Sequence, residues 1–455
     1  MPSIIVGESA SPATRSVFPT VPAHAEAIAL ETPALQPSFC CSIIPSVEGL
    51  SITTAESTVV RSWGVAAPAD AARPGRVVSL DVFRGITIAA MILVNDPGSW
   101  GAIYSPLEHA DWNGWTPTDL IFPFFLFIAG VSMTLSFASR TVSGATRGHL
   151  ALHVVRRAAL IFAIGLFLNG FPKFDFHTIR IMGVLQRIAV CYLAAGLLYL
   201  VCAPSESTAD GPRRGRASVA VIATVAAILL AGYWALMIFV AVPGYGAGHL
   251  GKDDNLAAYL DRTVLNGHLW TESKSWDPEG LLSTLPAIAT ALIGILAGQW
   301  LRSEREERRK VLGLAIAGAA LLAAGQLLHP YFPINKNLWT STFVLFTSGI
   351  AMILMAFCYW LVDLRGWRRW ATPFQVFGRN AILAYALAAI LAEISIDFEF
   401  RISGRMRTLH GWFYEAFFRP YANPKNASLA FALCFVLVIL LLLWPLHRKK
   451  LFIRV

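Results

Sequence analysis

TPTDLIFPFFLFIAGVSMTLSFA, residues 116–138, decides the fold. After Asp119 it runs to Ala138 without a charge, and its Phe, Leu, Ile, Val and Met residues are too dense for one face of a soluble helix. A stretch of about 20 such residues crosses a hydrocarbon core of roughly 30 Å. Runs of the same kind recur at 80–96, 152–171, 180–202, 217–242, 281–301, 311–329, 338–364, 374–396 and 428–446. The expected fold is an all-α, polytopic membrane bundle of about ten transmembrane helices. The run at 80–96 is short and carries Arg84, so its hydropathy is the weakest.

Composition agrees. Hydrophobic residues make up 56% of the chain and charged residues 14%, and the mean hydropathy is +0.57. A soluble domain carries roughly 25% charge, so the bilayer is the expected main solvent and partner. The excess of 37 Lys and Arg over 28 Asp and Glu sits in short runs between apolar segments. That pattern speaks for topology and anionic lipid, and against a nucleic-acid partner. Basic residues gather at Arg140, Arg147, Arg156 and Arg157, at Arg213, Arg214 and Arg216, in RSEREERRK (302–310), at Arg365, Arg368 and Arg369, and in the tail HRKKLFIRV. These positions alternate with 97–115, which holds no Lys or Arg, and with 172–179, 243–280, 330–337 and 397–427. An even number of spans then places every basic loop, and both termini, on the cytoplasmic side. The 397–427 loop, with five basic residues, dissents.

Residues 1–75 are rich in Ala, Pro, Ser and Thr and lack the basic and apolar regions of a signal peptide. They read as a disordered segment, or an upstream extension from a misassigned start codon, ahead of a membrane domain at 76–455. Of six cysteines, Cys40 and Cys41 fall in this segment, while Cys191, Cys202, Cys358 and Cys434 lie in apolar runs. No spacing suggests a metal or a disulfide framework.

Polar residues at membrane depth are costly and therefore point to function. One set lies towards the cytoplasmic leaflet: Asp81 and Arg84 at the start of the first helix, and Arg379 and Asn380 in the ninth. The bland reading of the first two is an interhelical ion pair. A second set lies towards the outer face: Asn95, Asp96, Asp119, Gln186, Arg187, Asp277, Glu279, Asn335, Lys336 and Asn337. Arg187 has Glu279 as a candidate structural partner, and DPEG (277–280) alone reads as a helix N-terminus. RSEREERRK reads as a solvated turn. The densest stretch is PLEHADWNGWTPTDL (106–120), with His109, Asp111, Trp112, Asn113, Trp115 and Asp119. Histidine exchanges protons near neutral pH. The tryptophans suit an interfacial belt or a sugar-stacking wall.

SLDVFRGITIAAMILVN (79–95) and HADWNGWTPTDLIFPFFLFIAG (109–130) together resemble the catalytic domain of the heparan-α-glucosaminide N-acetyltransferase family. So do RIMGVLQRIAVCYL (180–193), WDPEGLLSTLPAI (276–288) and PINKNLWTSTFVLFTSG (333–349), in the family's order. The resemblance covers about residues 76–365 and loosens after 374. It implies an enzyme that takes acetyl from cytosolic acetyl-CoA, without a metal, and delivers it to an amino sugar across the membrane. The catalytic histidine of the family's HASWNG motif falls on His109, and an asparagine closing the first helix falls on Asn95. His109 is then base or transient acyl carrier, Asn95 an oxyanion donor or acceptor-positioning group, and Asp119 the residue that orients the imidazole. Arg84, Arg379, Asn380 and Arg187 are candidates for holding the coenzyme. Trp112, Asn113, Trp115, Glu279, Lys336 and Asn337 are candidates for the acceptor. The mammalian lumenal partner domain has no counterpart in the 1–75 segment. A bacterial inner-membrane setting is expected, with an envelope glycan or glycolipid amino sugar as acceptor and a hydroxyl acceptor or a homodimer left open. The competing readings are an O-acyltransferase, a structural scaffold, and a secondary transporter or flippase, the last marked by broken helices or repeats.

Overall fold

A computed structural model describes residues 77–203, 218–402 and 405–452. The expected disordered segment 1–75 and the cluster Arg213, Arg214 and Arg216 lie outside the described residues. The chain folds as a bundle of apolar helices: α1 (Val78–Asn95), α2 (Ile121–Val142, led by a 3-10 turn Pro117–Leu120), α3 (Arg147–Gly170), α4 (Val184–Cys202) and α5 (Val219–Phe239). A short α6 (Leu256–Val264) lies in the long connection to α7 (Thr284–Leu301). Then come α8 (Glu307–Leu328), α9 (Ser341–Cys358, extended by a π-helical turn Tyr359–Leu364), α10 (Thr372–Arg379), α11 (Ala381–Asp397), α12 (Leu409–Phe417) and α13 (Pro424–Arg448). Among the described residues nine helices are long and apolar enough to cross a membrane, or ten with α10 and α11 counted as one broken span. The protein is a polytopic helical membrane protein.

Boundaries moved where local chemistry outweighed hydropathy. Thr146 accepts from His149 N and starts α3 before the expected 152. Asp119 and Thr116 form a reciprocal capping box that begins the second span. The charged run 302–310 is only partly a turn. Glu307–Lys310 is the first turn of α8, with Lys310 Nζ 2.9 Å from Glu307 Oε1. The expected span 374–396 is broken, with a bend of 75° at Asn380, whose φ of −121° and ψ of 41° lie outside the helical region. A two-stranded hairpin, β1 (Glu399–Ile402) on β2 (Arg405–Thr408), fills part of the 397–427 connection.

Burial ranks the helices. Of the span in α7, 78% is buried, against 17% in α8 and 22% in α5 and α13, so α7 is the axis and the other three face lipid. Small residues let the central helices touch, the usual device where no hydrophobic force acts between helices in lipid. A Cβ at Gly294 of α7 would stand 2.2 Å from Phe127 O of α2. The bend places α10 against α1 in the same way: a Cβ at Gly378 would meet Asp81 O at 1.8 Å, and one at Gly85 would meet Phe374 O at 1.7 Å. Because successive spans alternate in direction, the connections 96–116, 171–183, 240–283 and 329–340 share one face of the bundle. Apart from Asp81, Arg84, Arg379 and Asn380, the candidate groups lie in these connections or in the helix turns beside them.

Candidate active site

The 96–116 connection is held from both ends. Gly114 N donates to Ile334 O at 2.7 Å, and Trp112 Nε1 donates to Leu250 O at 2.8 Å. The opposing turn 333–340 is self-braced. Asn335 Oδ1 accepts from Leu338 N at 2.8 Å, Asn335 N donates to Thr340 Oγ1 at 3.1 Å, and Trp339 N donates to Lys336 O at 3.0 Å. Trp339 takes a left-handed φ of 51° inside this turn and is buried. Such a conformation persists only where surrounding bonds over-determine it. The Asn335 side chain then crosses to the first loop and donates to Asn113 Oδ1 at 3.1 Å.

This clamp brings His109, Asp119 and Lys336 together. His109 Nδ1 is 2.7 Å from Asp119 Oδ1, and the carboxylate is buried while half of the imidazole is exposed. Asp119 Oδ2 is taken by Ala110 N at 3.1 Å, Thr116 N at 3.0 Å and Thr116 Oγ1 at 3.2 Å. The capping box that starts the span therefore also aims Asp119 at the histidine. With a proton on Nδ1, His109 donates to Asp119 and leaves the lone pair on Nε2, the tautomer a general base requires. Lys336 Nζ stands 3.2 Å from Nε2, 3.0 Å from Nδ1 and 3.6 Å from Asp119 Oδ1. Burial pulls its ammonium below the ordinary lysine value, while Asp119 and Glu279 pull the other way.

The other expected residues are placed unevenly. Trp112 meets Trp276 edge-on at 5.2 Å, and Trp276 meets Trp270 at 5.7 Å. Trp115 is 41% exposed and packs on Phe346 at 4.8 Å, and Asn337 is half-buried beside Lys336. Asn95 lines a separate cavity with Asp96, Tyr385 and Glu393. The expected pairing of Arg187 with Glu279 does not form. Glu279 and Asp277 are held by Arg180, whose Nε lies 2.8 Å from Asp277 Oδ2. Arg180 sits at an extended stretch before α4, so its side chain reaches across the loops to the acids. Arg187 is fully buried one turn into α4, donates to Gly280 O at 3.0 Å and to Ser283 Oγ, and stacks on Trp339 at 5.1 Å. The Asp277 and Glu279 carboxylates accept from Arg180, so DPEG is more than a cap. Arg180 is the first residue of the expected run 180–202, and a polar residue at the very edge of a run carries no depth signal.

Arg84 Nη1 is 3.2 Å from Asp81 within α1 and 3.1 Å from Gly378 O, and Nη2 is 2.5 Å from Ser132 Oγ. The Asp81–Arg84 ion pair is thus within one helix, and Arg84 also reaches a carbonyl and a hydroxyl of two other helices. Arg379 lies over the Phe452 ring at 5.1 Å, and Asn380 is buried beside the tail, its Nδ2 3.4 Å from Leu451 O. No group of three or more His, Cys, Asp or Glu able to hold a metal occurs among the described residues.

Residues 76–209 match the family model described as heparan-alpha-glucosaminide N-acetyltransferase, catalytic. The human heparan-alpha-glucosaminide N-acetyltransferase is 31% identical over 355 residues, 69% of this chain and 53% of the human protein. Its mouse counterpart is 30% identical over 371 residues, 72% of this chain and 55% of the mouse protein. The chain spans about half the length of these curated relatives. The loop with His109 and Asp119 lies inside the matched region, whereas Lys336 lies outside it. On these matches the chain is a relative of the heparan-alpha-glucosaminide N-acetyltransferase family.

Proposed function

We propose that this protein is a membrane-embedded acetyltransferase that moves acetyl from cytosolic acetyl-CoA to an amino sugar, or a glycan hydroxyl, on the external side. The observation that carries the reading is the His109–Asp119 pair, 2.7 Å apart and set in a braced loop, in a chain whose relatives are named for N-acetyl transfer. His109 Nε2 takes a proton from the acceptor, whose nitrogen or oxygen attacks the thioester carbonyl. The C–S bond breaks, and the thiolate leaves with a proton returned by the imidazolium, while Asn95, which lines its own cavity, positions the acceptor. A histidine that first carries the acetyl itself gives the same balance in two steps. Asp119 holds the ring, and Lys336 adds positive charge where the oxyanion develops. Arg84 and Arg379 lie at the opposite leaflet and suit the coenzyme's phosphates, while Trp112 and Trp115 suit a sugar face. A bacterial inner membrane with both termini in the cytoplasm fits the basic loops.

The broken span at Asn380 favours a second reading, a transporter or flippase without transfer chemistry. Purified full-length protein, labelled acetyl-CoA and a panel of amino sugars separate the two. Labelled N-acetyl product from the wild type, lost in His109→Ala, is the expected result. Product from neither, with the sugar or coenzyme accumulating inside vesicles, would replace the transferase by the transporter.

A further inference from the structure

The charges on α2 and α3 are all of one sign. From Leu120 to Phe174 the chain carries no Asp or Glu, and α4 carries none either. Arg140, in the last turn of α2, and Arg156 and Arg157 of α3 all act electrostatically on the His153 ring, so these side chains form one cationic group. It lies towards the end of the bundle away from the His109 loop. Among the described residues no carboxylate pairs with any of these arginines. The apolar run starts at 152, so Arg156 and Arg157 stand about 6–8 Å inside it at about 1.5 Å per residue. Arg156 sits on the exposed stripe of α3, one turn from Leu152 and one turn from Leu160, in a span of which 28% is buried. Arg157 turns inward, with its guanidinium 5.0 Å from the centre of the Tyr192 ring on α4. Tyr192 is 3% exposed, and among the described residues neither its hydroxyl nor Arg157 Nε has a hydrogen-bond partner.

A charge at membrane depth is costly and is ordinarily paired. Arg156 can lift its head along the helix towards water, but Arg157 is stacked on a buried ring, and the three packed helices offer it no acid. The counter-charge therefore comes from outside the chain. Two guanidinium forks and a free hydroxyl match the oxygens of a phosphate. The group opens on the stripe of α3 that faces lipid, where Leu152, Val155 and Leu160 are exposed. Acyl chains fit that stripe, whereas a water-soluble phosphate would have to sit among them. Basic pockets between helices near a leaflet surface take lipid headgroups in this way. We propose that the joint of α2, α3 and α4 binds one anionic phospholipid. Arg140, Arg156, Arg157 and the Tyr192 hydroxyl hold its phosphate, and its acyl chains lie along α3. The site is independent of the transferase reading.

The test is native mass spectrometry of the full-length protein, delipidated in detergent and given equal amounts of dioleoyl phosphatidylglycerol and dioleoyl phosphatidylcholine. One phosphatidylglycerol should be retained at least about 10-fold better than phosphatidylcholine, the order expected of a single charge-assisted hydrogen bond. The Arg140→Gln Arg156→Gln Arg157→Gln triple variant should lose that preference. Arg156→Gln alone, on the exposed stripe, opens no cavity and should lower it several-fold, so the outcome does not hang on the folding of the triple variant. Tyr192→Phe should weaken phosphatidylglycerol by about 3–10-fold. Arg157→Lys, which keeps the charge and loses the planar fork, should fall between the wild type and Arg157→Gln. Arg308→Gln Arg309→Gln, in the exposed first turn of α8 at the same end of the bundle, should bind as the wild type does. That control separates a built site from the general attraction of basic loops for anionic lipid. Equal retention of the two lipids by the wild type overturns the site. So does a full preference in both Arg156→Gln and the triple variant, or an equal loss in the α8 variant. Displacement of phosphatidylglycerol by excess coenzyme A or inorganic phosphate would make this a site for a soluble phosphate and overturn the lipid.

Discussion

At the scale of single residues, His109 carries the largest expectation. Its ring is half-exposed in a loop, so truncation opens no core cavity. His109→Ala should lower single-turnover transfer by about 10²–10⁴-fold with an unchanged melting temperature. Asn95→Ala, removing an acceptor-positioning group, should raise KM for the acceptor more than it lowers turnover. Side-by-side assays of detergent-solubilised variants check both, and near-normal transfer by His109→Ala removes the residue from the mechanism. Asp96 makes a separate prediction about stability. Its folded-state value of about 7 lies above the ordinary carboxylate value, so the folded protein binds the proton more tightly than the unfolded chain. Stability from this group is full below about pH 4 and is lost as pH rises to about 7. Asp96→Asn should therefore raise the melting temperature at pH 8 and leave it nearly unchanged at pH 4. Equal shifts at both pH values would show that the carboxylate is not taken out of water.

At the scale of elements, the broken span is the feature to probe. Gly378 and Gly85 let α10 lie backbone-to-backbone on α1, and there is no room for a side chain. Gly378→Leu should destabilise the protein by about 1–3 kcal/mol or more, read as a lower melting temperature and poor extraction yield. A tolerated leucine would mean that this contact is looser than the backbone distances require. Arg84 sits in the same joint, bound to Gly378 O and Ser132, so it has two separable roles. Arg84→Gln should lower thermal stability, because Gly378 O loses a charged donor. If Arg84 also meets the coenzyme, KM for acetyl-CoA should rise in Arg84→Gln and Arg379→Gln alike, with turnover changed less. An unchanged KM in both moves the nucleotide site elsewhere and leaves Arg84 as a structural joint.

At the scale of the whole molecule, alternating basic and non-basic connections predict sidedness. Ser105 lies in the His109 connection and Ser143 in the connection between α2 and α3, and both are exposed. In a cysteine-free background, an impermeant thiol reagent applied to intact cells should label Ser105→Cys and spare Ser143→Cys. The reverse pattern would turn the protein over in the membrane and put His109 on the cytoplasmic side.

Sequence by itself determined the spans, because each must hide every backbone group inside an apolar helix and hydropathy reports that directly. It also singled out His109 with Asp119, since both lie in one stretch short enough for local capping chemistry to join them. The bend at Asn380 was not legible, because its cause is a backbone contact between Gly378 and Asp81, 297 positions apart in the chain. Lys336 was noted among the polar residues, but its place on the imidazole required the 333–340 turn to fold against the first loop. Arg180 was hidden because it stands at the very edge of the run 180–202, and only the closing of the loops delivers it to Asp277 and Glu279. Tertiary structure decided these partners because long polar side chains choose among several within reach, and only packing fixes which one is met.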